Sequence, residues 1–337
     1  MKIIVPMAGR GSRLRPHTLT VPKPLVPVGG KPIVHRLVED IADVCPDKIT
    51  EIAFVIGDFG AEVEKELIAV AESLGAKGSI HYQREPLGTA HAVLCAEEKL
   101  DGPVTVAFAD TLFQANFKID PNDDGILYVK QIEDPSAFGV VKMNDAGEII
   151  DFVEKPQEFV SDLAMIGIYY FKDGAALRNE LNYLIDNDII KGGEYQLPDA
   201  LRRLTEKGTK FKPGKVDEWL DCGNKAVTVH TNQRVLEYDK AKNKNMVAAS
   251  ASVTNSVIIE PCFIGEDVVI DRSIVGPHVS LGKGTKVVNS NLANTIVQNE
   301  TNIENARFQD AMIGSKVTYI EKAADISLGD FSTIERK

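Results

Sequence analysis

The sequence predicts an α/β protein: a doubly wound, mixed but mainly parallel sheet, followed by a hexapeptide-repeat β-helix. Two observations carry this. Up to about Tyr238, short apolar runs alternate with amphipathic stretches, the pattern of strands and helices taking turns. Further on, residues recur at a shift of 17: Ile264-Gly265 returns as Leu281-Gly282, and Ser273 returns as Ser290. With 337 residues the chain has room for two domains, expected at 1–240 and 247–337.

Along the chain, Lys2–Pro6, Glu51–Ile56, Ser79–Gln83 and Val104–Phe108 read as buried strands. Between them Ile33–Val44, Ala61–Leu74 and Thr89–Glu98 carry apolar residues at helical spacing. Such alternation implies a parallel sheet covered on both faces, with binding residues just past the carboxyl ends of its strands. Beyond Asp124 strands dominate: Gly125–Gln131, Phe138–Met143, Glu148–Val153 and Met165–Phe171. The turn Asn144-Asp145-Ala146-Gly147 predicts a hairpin between two of them. Helices return at Ala175–Leu184 and Gln196–Glu206. The strand-rich part is expected to extend the sheet in antiparallel sense, a floor for a second substrate.

After the polar stretch Tyr238–Asn245 the repeat begins. Val268, Ile270 and Val275 fall on Thr285, Val287 and Leu292 at the same shift. Three hexapeptides per triangular coil would give about 18 residues, close to that shift. A sandwich of short strands is the alternative. Past Asn299 the register is harder to follow, and Ile313-Gly314 and Leu328-Gly329 are candidates for the last coils.

Hydrophobic residues make up 44% and charged residues 26%, the balance of a soluble globular protein. No apolar run approaches the roughly 18 to 20 residues of a membrane span. The N-terminus reads as a first strand, not as a signal peptide. Cys45, Cys95, Cys222 and Cys262 form no CxxC pair, which suits unpaired thiols in a reducing cytoplasm. A net charge of −11 argues against nucleic acid as partner. A small phosphorylated substrate stays compatible with it, held by a few placed cations and a divalent metal.

The strongest motif is the opening, Val5-Pro6-Met7-Ala8-Gly9-Arg10-Gly11-Ser12-Arg13-Leu14-Arg15-Pro16, then Pro22-Lys23-Pro24-Leu25. A Gly-rich turn leaving a first strand lets backbone N–H groups approach phosphate oxygens. It is not a P-loop, for it lacks Gly-Lys-Ser/Thr. Nor is it a dinucleotide fingerprint, for Leu14 stands where the third glycine belongs. Arg13 and Lys23 bracket the loop, two cations suited to charge building on a triphosphate.

Gly9 to Pro16 followed by Pro22-Lys23-Pro24-Leu25 resembles the signature of the sugar-1-phosphate nucleotidylyltransferases, the nucleotide-sugar pyrophosphorylases. The resemblance continues in order through Gln83 with Pro86-Leu87-Gly88-Thr89-Ala90, Asp110, Phe138-Gly139-Val140-Val141, Glu154-Lys155-Pro156, Ile166-Gly167-Ile168-Tyr169 and Trp219-Leu220-Asp221-Cys222-Gly223. It implies a Rossmann-like nucleotidyltransferase domain, here with a left-handed β-helix. It implies too that Ala8, Gly9, Gly11, Gln83, Gly88 and Thr89 bind the nucleotide, while Arg13 holds the leaving pyrophosphate and Lys23 the reacting phosphates. Gly139, Glu154, Lys155 and Ile166 are expected at the sugar phosphate. Asp110 and Asp221 are expected to hold Mg²⁺, hard carboxylates suiting an ion that bridges phosphate oxygens. Ser12, Ala109 and Pro6-Met7 depart from the usual residues without removing a charged group.

The implied reaction joins a nucleoside triphosphate to a sugar 1-phosphate, releasing pyrophosphate and a nucleotide sugar. Phosphate is already a nucleophile, so the protein positions and neutralises. Pro156 disfavours helical geometry at Lys155, so an extended strand-to-loop presentation is expected there. Gly139 and Gly167 read as close approaches of a sugar ring, or else as strand bulges. Thymidylyl or uridylyl transfer to glucose 1-phosphate is favoured over guanylyl transfer to mannose 1-phosphate. A non-catalytic nucleotide-sugar sensor would have lost Arg13, Lys23, Asp110 or Asp221, and all four are present. An acyltransferase in the β-helix would rest on His278 alone; assembly into a homo-oligomer, or regulation, is the more economical role.

Overall fold

The computed structural model describes residues 1–337 apart from Arg10, Phe117, 323–326, Leu328, Asp330, Ser332 and 334–337. Arg10 of the opening motif and Leu328 of the expected last coil therefore lie outside the described residues. The chain divides into two compact units: Met1–Pro27 with Lys31–Thr228, and Val28–Gly30 with Val229–Lys337.

In chain order the elements are β1 (Lys2–Pro6), β2 (Pro27–Val28), β3 (Lys31–Pro32), α1 (Ile33–Val44), β4 (Glu51–Ile56), α2 (Ala61–Ser73) and β5 (Lys77–Tyr82). There follow α3 (Thr89–Leu94), β6 (Val104–Ala107), β7 (Thr111–Gln114), β8 (Gly125–Gln131), β9 (Gly139–Met143), β10 (Ile149–Glu154) and β11 (Leu163–Phe171). Then come α4 (Gly174–Asp186), α5 (Leu197–Glu206), β12 (Phe211–Lys215), β13 (Glu218–Asp221) and α6 (Lys225–Ala241).

The first unit is built on a nine-stranded sheet of order β5-β4-β1-β6-β11-β8-β12-β10-β9. From β5 to β6 it is parallel. Ile3, Ile4 and Val5 of β1 are wholly buried, the near-continuous apolar run of a strand covered on both faces. From β11 outward antiparallel pairs prevail, with β12 parallel to β8. The predicted hairpin is present: Asn144 donates its N–H to Glu148 O at 3.0 Å, and Gly147 supplies φ +79°. Its register sets Glu154 opposite Gly139. A separate ribbon, β7 against β13, pairs Asp221 with Thr111.

In the second unit three parallel sheets stack coil upon coil. Ile270, Val287 and Ile303 form one inner row, Val275 and Leu292 another, and Ile264, Leu281 and Val297 a third, all buried. The corners turn through left-handed residues, as at Asn255, Arg272, Asn289 and Asn305. Asparagine accepts that conformation more readily than most residues. Inside runs a serine ladder: Ser256, Ser273 and Ser290 accept the N–H of Ser273, Ser290 and Ala306 in turn. The shift is 17 from Ile270 to Val287 but 16 from Val287 to Ile303, so one corner loses a residue. That is why the repeat fades to the eye past Asn299, although Ile313 still pairs with Val297.

Helix α6 runs into the stretch Tyr238–Asn245 that reads as polar, taking in its first residues up to Ala241. Its buried face carries Thr228, Thr231, Asn232 and Asp239 beside Val229, Val235 and Leu236, so no clean apolar period announces it.

Candidate active site in the first unit

A cleft of about 1110 Å³ opens at the carboxyl ends of the four parallel strands. Each strand contributes the residues that follow it. Met7 to Gly9, then Gly11 to Arg13, come after β1; Gly57 and Asp58 after β4; Gln83 and Arg84 after β5; Phe108 to Asp110 after β6. Nine of the residues expected from the sequence line it: Ala8, Gly9, Gly11, Arg13, Lys23, Gln83, Gly88, Thr89 and Asp110.

The opening loop is shaped around Lys23. Gly11 sits at φ +70°, and a Cβ there would come within 2.6 Å of Lys23 Cβ. Thr18 Oγ1 donates to Gly11 O at 2.8 Å, and Leu14 N–H donates to the same oxygen at 3.0 Å. Lys23 begins a single 3₁₀ turn between Pro22 and Pro24, closed by Val26 N–H donating to Lys23 O at 3.0 Å. The two prolines fix φ on either side, so the lysine backbone has little freedom. Its side chain is 7% exposed and sets Nζ 3.2 Å from Asp110 Oδ2. At Gly9 the direction of a side chain meets nothing within 4 Å, so open space lies over that backbone.

The β7–β13 ribbon brings the two aspartates together. Asp110 precedes β7 and Asp221 ends β13, and Cys222 N–H donates to Asp110 O at 3.1 Å. Trp219 Nε1 donates to Thr111 Oγ1 at 2.9 Å and stacks edge-on with Phe138 at 4.7 Å, which fastens the ribbon. Asp221 Oδ2 lies 2.9 Å from where Gly223 would carry a Cβ, and Gly223 is part of the cleft wall. Burial pushes the Asp221 carboxyl above the usual range; Lys23 opposes this and Asp110 adds to it. Two carboxylates that repel one another, with one ammonium paired to Asp110, are a site that a further cation would relieve. Among the described residues no group of three or more His, Cys, Asp or Glu suits a metal ion. Mg²⁺ takes one or two carboxylates and completes its shell with water and phosphate, so this donor pair fits it.

At the β5 end, Gln83 Nε2 donates to Gly88 O at 3.1 Å and lies 3.2 Å from His91 Nδ1. Gly88 has φ +114°, and a Cβ would strike Tyr195 O at 2.4 Å. Thr89 is already engaged: its Oγ1 accepts the N–H of Leu197 at 2.9 Å.

The expected sugar side stands apart from the lining of the cleft. Gly139 does make a close approach, but to protein: its missing Cβ leaves room for Glu154 Oε2 at 2.7 Å and Met165 Cε at 2.5 Å. Burial raises the Glu154 carboxyl; Lys155 opposes, and Glu194 of the cleft wall adds to the rise. Gly167, at φ +85°, falls in the bulge where β11 slips against β8, and its carbonyl accepts from Phe108 N–H at 2.9 Å. Ile166 is buried, at 2% exposure, and is not part of the cleft wall. Lys155 corrects the sequence reading. It is left-handed at φ +45°, not extended, because its N–H turns back to Phe138 O at 3.1 Å. Proline bars αR at the preceding residue, and the chain reaches this turn through αL instead. Its side chain is 65% exposed, with Nζ 4.0 Å from Glu154 Oε1.

Asp58, Arg84, Phe108 and Glu194 also line the cleft and were not singled out from the sequence. Position was the available signal for the first two, each within two residues of a parallel strand's end. His91 carries none, since it reaches the site only through Gln83.

The family model for nucleotidyl transferase matches residues 2–237. A glucose-1-phosphate thymidylyltransferase of Streptomyces antibioticus is 30% identical over 99% of both chains. The low-salt glycan biosynthesis nucleotidyltransferase Agl11 of Haloferax volcanii is 29% identical over 93% of this chain and 92% of its own. Among solved structures, the nucleoside-diphosphate-sugar pyrophosphorylase of Vibrio cholerae RC9 has the same fold, with a TM-score of 0.59 at 22% identity over 68% of this chain and 99% of that one. With its strand-end cleft, its Gly-rich loop and a family model covering more than half its length, this chain belongs to the nucleotidyl transferase family.

Proposed function

We propose that the cleft transfers a nucleotidyl group from a nucleoside triphosphate to a sugar 1-phosphate, with glucose 1-phosphate as acceptor and a thymidylyl or uridylyl group as cargo. One observation carries the reading: Lys23, Asp110 and Asp221 meet beneath the Gly-rich loop, with Gln83 and Gly88 at the same cleft. The full-length relative that acts on glucose 1-phosphate supports the choice of sugar and base.

The backbone of Ala8, Gly9 and Gly11 cradles the triphosphate, and the open space over Gly9 admits it. Gln83 and Gly88 read the base, with Thr89 holding their loop to Leu197. Glu154 takes sugar hydroxyls and Lys155 the sugar's phosphate, with the backbone at Gly139 and Ile166 alongside. An oxygen of that phosphate forms a new bond to the α-phosphorus. The bond from this phosphorus to the bridging oxygen breaks, and its electron pair leaves with pyrophosphate. Arg13 and Lys23 stabilise the departing charge. Asp110 and Asp221 would hold Mg²⁺, which supplies charge neutralisation at the phosphate oxygens.

The second unit serves self-association. Val253 is 42% exposed although its row partners Ile270, Val287 and Ile303 are buried, so an apolar face is left at the first coil. A cytoplasmic setting suits cysteines that form no disulfide among the described residues, and no described helix is long and apolar enough to cross a membrane. The test of the reaction is pyrophosphate release over five triphosphates and a set of sugar 1-phosphates. Release is expected with dTTP or UTP and glucose 1-phosphate. No release with any pair would sink the reading, and a preference for GTP with mannose 1-phosphate would overturn its choice of substrates.

A further inference from the structure

Gln83 offers the cleft a carboxamide whose orientation is set from behind. A carbonyl can only accept, so the atom 3.1 Å from Gly88 O is the amide nitrogen. The same nitrogen lies 3.2 Å from His91 Nδ1. Both amide hydrogens thus have acceptors, one a backbone carbonyl and the other an imidazole nitrogen. The arrangement needs the neutral ring with its proton on Nε2, which stands 4.0 Å from Cys95 Sγ. Turning the carboxamide over would set its oxygen against the Gly88 carbonyl, acceptor against acceptor, whichever tautomer His91 adopts. What remains for the cleft is Oε1, an acceptor.

We propose that His91, on α3, is a positioning residue for base selection: by accepting the second N–H of Gln83 it holds Oε1 towards the nucleotide. This rests on the reading that Gln83 meets the base. An acceptor there favours bases with an N–H at the pairing edge, as at N3 of uracil and thymine or N1 of guanine. It disfavours cytosine and adenine, whose corresponding ring nitrogens are themselves acceptors. His91 does not line the cleft and acts only through the amide.

The test uses the full chain and the ratio of kcat/KM for UTP or dTTP to that for CTP and ATP. His91→Leu leaves one amide hydrogen unpaired, and a hydrogen bond of ordinary strength is worth about three- to tenfold. The ratio should fall by that factor, through KM for the triphosphate, while kcat and KM for the sugar 1-phosphate stay put. His91→Asn, whose Oδ1 accepts near the place of Nδ1, should keep the ratio. Gln83→Leu should lower it at least as far, and adding His91→Leu to that variant should change nothing more.

Acid provides a test independent of folding. Burial holds His91 below the ordinary histidine value of 6.5, against the pull of the Glu85 carboxylate. Cys95, its other titratable neighbour, has its thiol raised by burial and stays neutral. Below the His91 pKa, Nδ1 becomes a donor facing a donor, and the wild-type ratio should fall while that of His91→Asn does not. If Gln83→Leu loses the ratio but His91→Leu and acid leave it intact, the role of His91 is refuted and Gln83 keeps its own. If Gln83→Leu itself preserves the ratio, the base-reading assignment fails and this proposal with it.

Discussion

Replacing Gly11 by alanine should disable the enzyme while leaving most of its stability. The new Cβ would lie 2.6 Å from Lys23 Cβ, 3.0 Å from its Cδ and 3.2 Å from its Cγ. Carbon atoms settle at about 3.5 to 4.0 Å, so loop and lysine must part by about 1 Å. Alanine at φ +70° adds about 1 to 2 kcal/mol of backbone cost. Pro22 and Pro24 stiffen the turn that carries Lys23, so the shift is passed to an ammonium now 3.2 Å from Asp110. A misplacement of about 1 Å can cost on the order of 10²-fold in rate. Pyrophosphate release at saturating substrates should show kcat down by about that factor, with Tm lower by a few degrees. Gly9→Ala is the control, because nothing stands within 4 Å of its Cβ. It should leave Tm unchanged and raise KM for the triphosphate. A Gly11→Ala enzyme with kcat within about twofold of normal would refute the argument that this glycine exists to let Lys23 pass.

The two lysines should fail differently. Lys23→Ala should lower kcat and kcat/KM together, by about 10² to 10³, as for a lost charge-stabilising group. Lys155→Ala should chiefly raise KM for the sugar 1-phosphate, and a large drop in its kcat would contradict the assignment. Asp221→Asn should abolish turnover yet unfold at or above the wild-type temperature at neutral pH. Its carboxyl is raised by burial, so the ionised form destabilises the fold there, and stability would be recovered only as pH falls through the raised pKa. A clear loss of Tm in that variant would show the carboxylate to be structural.

Much of the first unit could be read in advance because its strands and helices obey simple periods. β1, β4, β8 and α1 lie where the apolar pattern puts them. The cleft also follows from the pattern, since its residues sit just past the parallel strands. The β7–β13 ribbon did not show itself: four residues on each side, widely separated in sequence, are too short for any period. Yet that ribbon is what joins Asp110 to Asp221, so their association came from resemblance alone. Helix α6 was hidden by its polar buried face, and the later coils by the change from 17 to 16. Lys155 was misread for a different reason. The rule for residues before proline favours extended backbone, and here the hydrogen bond from Lys155 N–H to Phe138 O overrides it.

An acidic chain that binds polyanions must solve its charge problem locally. Lys23, Asp110 and Asp221, all ionised, sum to −1, and Arg13 only brings the cluster to neutrality. More telling is that Lys23 has a partner within the protein: its ammonium is 3.2 Å from Asp110. Lys23 can turn to the triphosphate only when Asp110 is given another counter-ion. The hypothesis that follows is a linkage, in which Mg²⁺ and nucleotide each strengthen the binding of the other because they share out one salt bridge. Asp110→Asn removes a metal ligand as well as this salt bridge, so the metal-free affinity separates the two: Lys23 then keeps only the attraction of Asp221 and should bind the triphosphate more tightly without Mg²⁺ than in the wild type. Equilibrium titration of the triphosphate should show affinity rising steeply with Mg²⁺ in the wild type and only weakly in the variant. Equal dependence on Mg²⁺ in both proteins would mean that the Lys23–Asp110 pair does not gate the nucleotide, and that the two sites are independent.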